Sequence, residues 1–202
     1  VSEVPALSLT EWAVLGLIAE GRTHGFAVGR ELAPTGSVGR IWTIPRPLVY
    51  RAIATLGTRG LVREAGSATG ELGPPRRLVE VTAGGREALD RWLGEPIAHV
   101  RDGRSELMMK LLLLERSGRD PSGLLAAQQA LFARIVDRRA EQLAASEGFD
   151  TTLARWRLYS AEAALRMVAE LLADQRGRAS QNPARGSRTP VRARSRSQPA
   201  ED

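Results

Sequence analysis

The chain has 202 residues, enough for one or two domains with cores of their own. It holds no cysteine and only two histidines, His24 and His99, far apart. That excludes disulfides, thiolate metal sites and cysteine nucleophiles, and leaves little material for a metal cluster or a histidine triad. The formal net charge of +6 is unevenly placed. Residues 40–77 carry seven arginines against Glu64 and Glu71, and residues 175–202 carry seven against Glu201 and Asp202. Residues 100–174 balance eleven cations with eleven acids. Localised basic charge suits a polyanion, because neutralising phosphates releases condensed counterions, although a basic stretch can also be a solvated face. The longest apolar run, around 107–114, is broken by Lys110 and is too short for a bilayer. No charged stretch followed by an apolar one opens the chain. No membrane partner and no secretory leader are therefore expected, and a cytoplasmic location is.

Residues 9–20 read as a helix, with Leu9, Trp12, Ala13 and Leu17 at helical spacing and Val14, Leu15 and Ile18 widening the apolar face until it is mostly buried. Gly21 ends it. Thr23 is a candidate cap for a short second helix in which Phe26 and the Val28/Leu32 pair face the core. His24, at its start, reads as a structural or capping residue rather than a ligand. After a turn-rich stretch, Thr43 stands as a capping candidate for a third helix, with Pro45 where a first turn tolerates proline. Val49, Ala52, Ile53 and Leu56 form its buried stripe, while Arg46, Tyr50, Arg51, Thr55 and Thr58 lie largely off it. Gly60 stops this helix. A strand, a Gly/Pro loop and a second strand, RRLVEV, read as a hairpin, and Thr82 caps a fourth helix that turns Leu89, Trp92 and Leu93 inward. Helix, helix, helix, hairpin, helix is the order of a winged helix-turn-helix.

The second half is helical throughout. SELMMKLLLLERSG is apolar nearly all round. A long helix starts at Asp120 and Pro121 and runs to about Glu147, and after Gly148 a last helix, capped by Asp150, runs to about Asp174. On it Leu158, Ala161, Leu165, Val168 and Leu172 make a heptad seam, which serves equally for packing within one chain or between two. From 176 onward the residues are Arg, Ser, Pro, Gly, Gln and Asn with almost nothing apolar, the composition of a disordered tail.

These pieces, in order, resemble the PadR family of bacterial transcriptional regulators. LSLTEWAVLGLIAEG, RTHGFAV, IWTIPRPLVYRAIATLGTRGLV and RRLVEVTAGGREALDRWL carry the resemblance, through Trp42, Tyr50, Leu56, Gly60 and Leu61 in the third block. SELMMKLLLL and the helices after it resemble the longer subgroup, in which a helical domain dimerises. Two places depart from the pattern. PRP at 45–47 replaces the usual Ser/Thr-Arg-Gly start, and Leu78 or Val79 stands where an aromatic usually lies.

The resemblance implies a mainly α fold with a small β-hairpin wing. A winged helix-turn-helix DNA-binding domain is expected over 1–99, a helical dimerisation domain over 100–175, and a disordered Arg/Ser/Pro-rich tail over 176–202. The function it implies is that of a dimeric repressor on double-stranded DNA with a near-palindromic operator. A small-molecule effector at the helical domain would relieve the repression. Arg46 and then Arg51 are the expected contacts of the third helix to bases or phosphates. Thr43 serves as a cap or a phosphate contact. Tyr50 either buries its ring and offers a hydroxyl or stays outside, and Arg76 and Arg77 should hold phosphates regardless of sequence. Leu111, Leu131, Ile135, Leu158, Ala161, Leu165, Val168 and Leu172 are assigned to dimerisation. Trp156 and Tyr159 could line a pocket, or pack on Phe132, Phe149 or the partner subunit. No glycine-rich phosphate loop, metal constellation or nucleophile–base pair stands out, so neither an enzyme nor a cofactor is expected. The competing reading is a winged-helix protein-interaction module that does not bind DNA.

Overall fold

The structure, a computed structural model, describes residues 6–68 and 75–181. The first helix, α1 (Leu9–Ala19), is held at its start by reciprocal bonds between Ser8 and Glu11: the Ser8 hydroxyl accepts from the Glu11 amide, and the Glu11 carboxylate accepts from the Ser8 amide. Every residue from Trp12 to Ile18 is buried, as an all-round apolar sequence requires, and α1 becomes the axle on which α3, α4 and α5 pack. At Gly16 the Leu113 side chain of α5 occupies the space a Cβ would need, so only glycine allows this contact.

Residues Thr23–His24 form a strand, β1, that the hairpin reading does not contain. It pairs antiparallel with β3 (Arg76–Val81), which also pairs with β2 (Val62–Ala68), giving a three-stranded sheet in the order β1-β3-β2. The next helix, α2 (Gly25–Glu31), is capped by His24 rather than Thr23: the imidazole Nδ1 accepts from the Ala27 amide at 3.0 Å. Thr23 and His24 both lie in the ladder, opposite Val79 and Leu78, and because the helix begins at Gly25 the cap position falls on His24. The third helix, α3 (Arg46–Thr58), buries Val49, Ala52 and Leu56, and Ile53 half-way. Thr43 does not cap it. Its hydroxyl donates to the Gly39 carbonyl at 2.8 Å, closing the preceding turn, and α3 opens at Pro45 with no side-chain cap. Thr82 does cap α4 (Ala83–Gly94), accepting from the Gly85 amide, and Leu89, Trp92 and Leu93 point inward.

A 3₁₀ turn (Val100–Asp102) and a π turn (Gly103–Leu107) lead into α5 (Met108–Arg116), followed by α6 (Ser122–Ala144) and α7 (Gly148–Gln181). The last helix continues to Gln181, so 176–181, expected to be disordered, are helical; residues 182–202 lie outside the described residues. The molecule is mostly helical with one small antiparallel sheet, the layout of a winged helix followed by long helices.

One buried cluster runs from α1 through α4 and α5 to α6 and α7. Three polar contacts stitch it together. Gln128 of α6, fully buried, accepts from the Ile97 amide at 2.7 Å and donates to the Ile97 carbonyl at 3.1 Å. Lys110, 1% exposed, donates to the Glu95 carbonyl, pairs with Glu106 at 3.0 Å and lies over the Trp92 ring. Arg116 grips Glu20 with two nitrogens at 2.6 and 2.7 Å and reaches Glu31 at 3.2 Å and Ser37 at 2.7 Å. The burial of Gln128 and Lys110 is tolerated because both side chains find partners.

Candidate nucleic-acid interface

Helix α3 turns Arg46, Tyr50 and Arg51 to solvent on the side away from its buried stripe. Helix α2 crosses behind this face through two glycines four residues apart. A Cβ at Gly25 would lie 2.6 Å from the Tyr50 ring, and one at Gly29 would lie 3.4 Å from the Arg46 stem. Tyr50, 53% exposed, therefore rests its ring on α2 rather than in the core.

The guanidinium of Arg46 lies 4.7 Å from the centre of the Phe26 ring, and that of Arg76, on the wing strand β3, lies 5.0 Å from the same centre. Both distances are within cation–π range. Phe26 is thus not the core residue its spacing suggests; it is 38% exposed at the meeting point of α2, α3 and the wing. The two partners are far from Phe26 and from each other in sequence, so no local pattern announces this contact.

The seven arginines of the basic segment divide into two groups. Arg63 is paired with Glu80 at 2.6 Å, Arg77 lies 3.8 Å from Glu64, and Arg59 donates to the Ala6 carbonyl. Hydrogen bonding from Arg63, reinforced by Arg22, holds the Glu80 carboxyl below the usual carboxylate range. Arg40, Arg46, Arg51 and Arg76 have no ion pair among the described residues, so their charge faces outward uncompensated. Between the start of α2, the outer side of α3 and the wing lies an open cavity of about 950 Å³. Ile53, Ala54, Val62 and Val79 line its apolar side, and Arg63, Arg76 and Arg77 its basic side.

The positions assigned to dimerisation do not form an open seam. Leu158, Ala161, Val168 and Leu172 are buried within a single chain, and Leu165 is half-buried, because α6 packs along α7 and covers that face. Leu111, Leu131 and Ile135 are likewise half-buried. The heptad spacing is real, and within one chain its buried positions lie on the face along which α6 packs. What α7 leaves open is a second apolar stripe, Phe149, Leu153, Trp156 and Met167, with Tyr159 beside it. Phe149 is 80% and Trp156 73% exposed, so neither packs on Phe132 within the chain. Among the described residues no group of metal-ligating side chains forms, and no helix is long and apolar enough to cross a membrane.

No family model matches the chain. A sequence relative from Mycobacterium tuberculosis, named "Probable transcriptional regulator Rv1176c", is 26% identical over 136 residues, which is 65% of this chain and 68% of the relative. Among solved structures, Bacillus subtilis PadR in complex with operator DNA is similar over 80% of this chain and 97% of its own, at 17% identity and a TM-score of 0.41. A second crystal structure of Bacillus subtilis PadR is similar over 87% of this chain and 99% of its own, at 16% identity and a TM-score of 0.38. The PadR-like regulator BC1756 of Bacillus cereus covers 89% and 99%, at 13% identity and a TM-score of 0.37. The sequence relative thus carries the description of a probable transcriptional regulator, and the solved structures are of PadR and a PadR-like transcriptional regulator.

Proposed function

We propose that the chain is a sequence-specific DNA-binding transcriptional regulator that acts as a dimer. The observation that carries this reading is the convergence of Arg46 and Arg76, from two separate elements, on one neutral ring at an exposed face without a carboxylate partner among the described residues. An arginine in a solvated salt bridge has its charge already answered; these two do not. In this reading the N-terminal end of α3 enters the major groove, where Arg46 reads a base edge and Arg51 follows one turn on. Thr43, just ahead of the uncapped start of α3, lies beside a phosphate in this reading, and Arg76 with Arg77 holds the backbone beside the wing. The likeness to a regulator over 136 residues points the same way.

Residues 1–99 serve as the DNA-binding part and 100–175 as the dimerisation part, acting in the cytoplasm. The exposed stripe Phe149–Leu153–Trp156–Met167 is the face of α7 that a second copy would cover. Two α3 helices then meet half-sites about one helical turn apart, roughly 34–36 Å, on a near-palindromic operator. Repression relieved by a small molecule at the helical part fits the contacts that Arg116 makes between α5 and the α1–α2 region. A coupling of about 1–3 kcal/mol would suffice.

The test is a mobility shift with DNA from just upstream of its own gene, at several salt concentrations and with non-specific competitor. Binding that survives competitor and weakens in Arg46→Ala and in Arg76→Ala/Arg77→Ala is the expected result. Unchanged binding in both variants would transfer the fold to a protein-interaction role.

A further inference from the structure

We propose that Phe26 is the positioning residue of the DNA interface: its ring ties the tip of α3 to the wing, so that Arg46 and Arg76 meet the duplex as a preset pair. This rests on the DNA-binding reading above and assigns a role to a residue that touches no DNA itself.

Phe26 lies where two rigid attachments of α2 meet. On one side, His24 pairs with Leu78 in the β1–β3 ladder and also caps α2, so the first turn of α2 is fixed relative to the wing strand that carries Arg76. On the other side, the Gly25 and Gly29 notches receive Tyr50 and the Arg46 stem, so the same turn is fixed relative to α3. The ring projects from this vertex, and both guanidinium groups lie close to it, at 4.7 and 5.0 Å from its centre.

An aromatic ring attracts a cation through its quadrupole while adding no opposing charge. A carboxylate at the same place would hold the arginines more strongly but would cancel the charge that phosphate must see, as Glu80 does for Arg63 and Arg22. Phe26 therefore orders two long side chains and leaves them electrostatically available. Arginines already ordered lose less freedom when DNA arrives, which lowers the cost of binding. It also accounts for the partial exposure of a large apolar side chain: the two cations cover it. Among the described residues Arg77, next in sequence to Arg76, lies over no ring, and its guanidinium makes one long contact, to Glu64.

The experiment uses the full chain and a duplex that the wild-type protein selects from a random-sequence pool, with a scrambled duplex as control. Binding is measured by fluorescence anisotropy. Three changes are made at position 26: Phe26→Leu, Phe26→Tyr, and pentafluorophenylalanine, which keeps the shape and removes the negative face. Phe26→Leu and the fluorinated ring are each expected to weaken binding to the selected duplex about tenfold, and Phe26→Tyr by no more than about twofold. In an Arg46→Gln/Arg76→Gln background, Phe26→Leu is expected to cost less than about twofold, because nothing remains for the ring to position. Equal losses in the two backgrounds, or wild-type binding by the fluorinated protein, would reduce Phe26 to a packing residue and overturn the inference. The fluorinated variant keeps the test valid even if Phe26→Leu fails to fold. If Arg46→Gln/Arg76→Gln alone binds DNA as the wild type does, the interface reading falls, and this inference with it.

Discussion

The indole of Trp12 lies flat on that of Trp92, with ring centroids 4.9 Å apart and planes 7° from parallel. One ring belongs to α1 and the other to α4, both are buried, and Lys110 sits over the second at 4.8 Å. The stack joins the first and last helices of the winged-helix unit, and Lys110 links it to α5. Trp92→Ala would leave a cavity between three elements and remove the bond from the indole nitrogen to Glu106. A loss of roughly 3–5 kcal/mol is expected. Denaturant unfolding checks it; a loss below about 1 kcal/mol would mean that the stack bears little of the core.

Arg46→Ala and the wing pair Arg76→Ala/Arg77→Ala should fail differently. The first should cost about 1–3 kcal/mol on the preferred duplex and relax the preference for it, whereas the second should weaken all duplexes alike and flatten the salt dependence. Titrations on matched and scrambled DNA across a salt series separate the two behaviours. Identical profiles would remove the distinction between helix and wing.

Burial pushes the Lys110 ammonium below the ordinary lysine value, against the opposing pull of Glu106. Unfolded, the same lysine titrates near about 10.4, so between the two values the unfolded chain binds more protons than the folded one. Stability from this site should therefore rise with pH through that window rather than fall. Comparing the melting temperatures of the wild type and Lys110→Met between neutral pH and about pH 10 reads this out as a flatter curve for the variant. A parallel pair of curves would show that Lys110 does not titrate there.

The two apolar faces of α7 should respond oppositely to a charge. Leu158→Glu, on the face packed against α6, should unfold the helical hairpin and lower stability by several kcal/mol, since an unpaired buried carboxylate costs at least about 3 kcal/mol. Trp156→Glu, on the open face, should leave the fold intact and halve the mass measured by light scattering. A wild-type mass equal to one chain would remove the dimer.

Much of the fold is legible in the sequence where the signal is local. The stripe Val49, Ala52 and Leu56, the Thr82 cap and the all-round burial of α1 follow from spacing and chemistry within one turn or two. What escapes local reading depends on partners elsewhere in the chain. A strand of two residues, Thr23–His24, exists because β3 offers it a free edge. That edge takes both Thr23 and His24 into the ladder, and His24 caps α2 as well. The heptad on α7 says that a helix must lie against it and is silent on whether that helix is α6 or a partner. Thr43 has a hydroxyl suited to either a cap or a turn, and the nearby Gly39 carbonyl decides the matter. At the candidate site the arginines are legible from charge density, whereas Phe26 is not, because its neighbours at 46 and 76 come from other elements.

The fork of Arg116 bears on how such a protein could measure DNA. One guanidinium on α5 holds carboxylates from the end of α1 and the end of α2, so the platform behind the recognition helix is clamped to the shaft that carries the long helices. In a two-fold assembly, any tilt of those shafts would swing both reading heads and change the gap between them. In the proposed dimer, the span of duplex that the pair straddles would be a lever-arm property, to which Arg116 contributes from a position far from the bases.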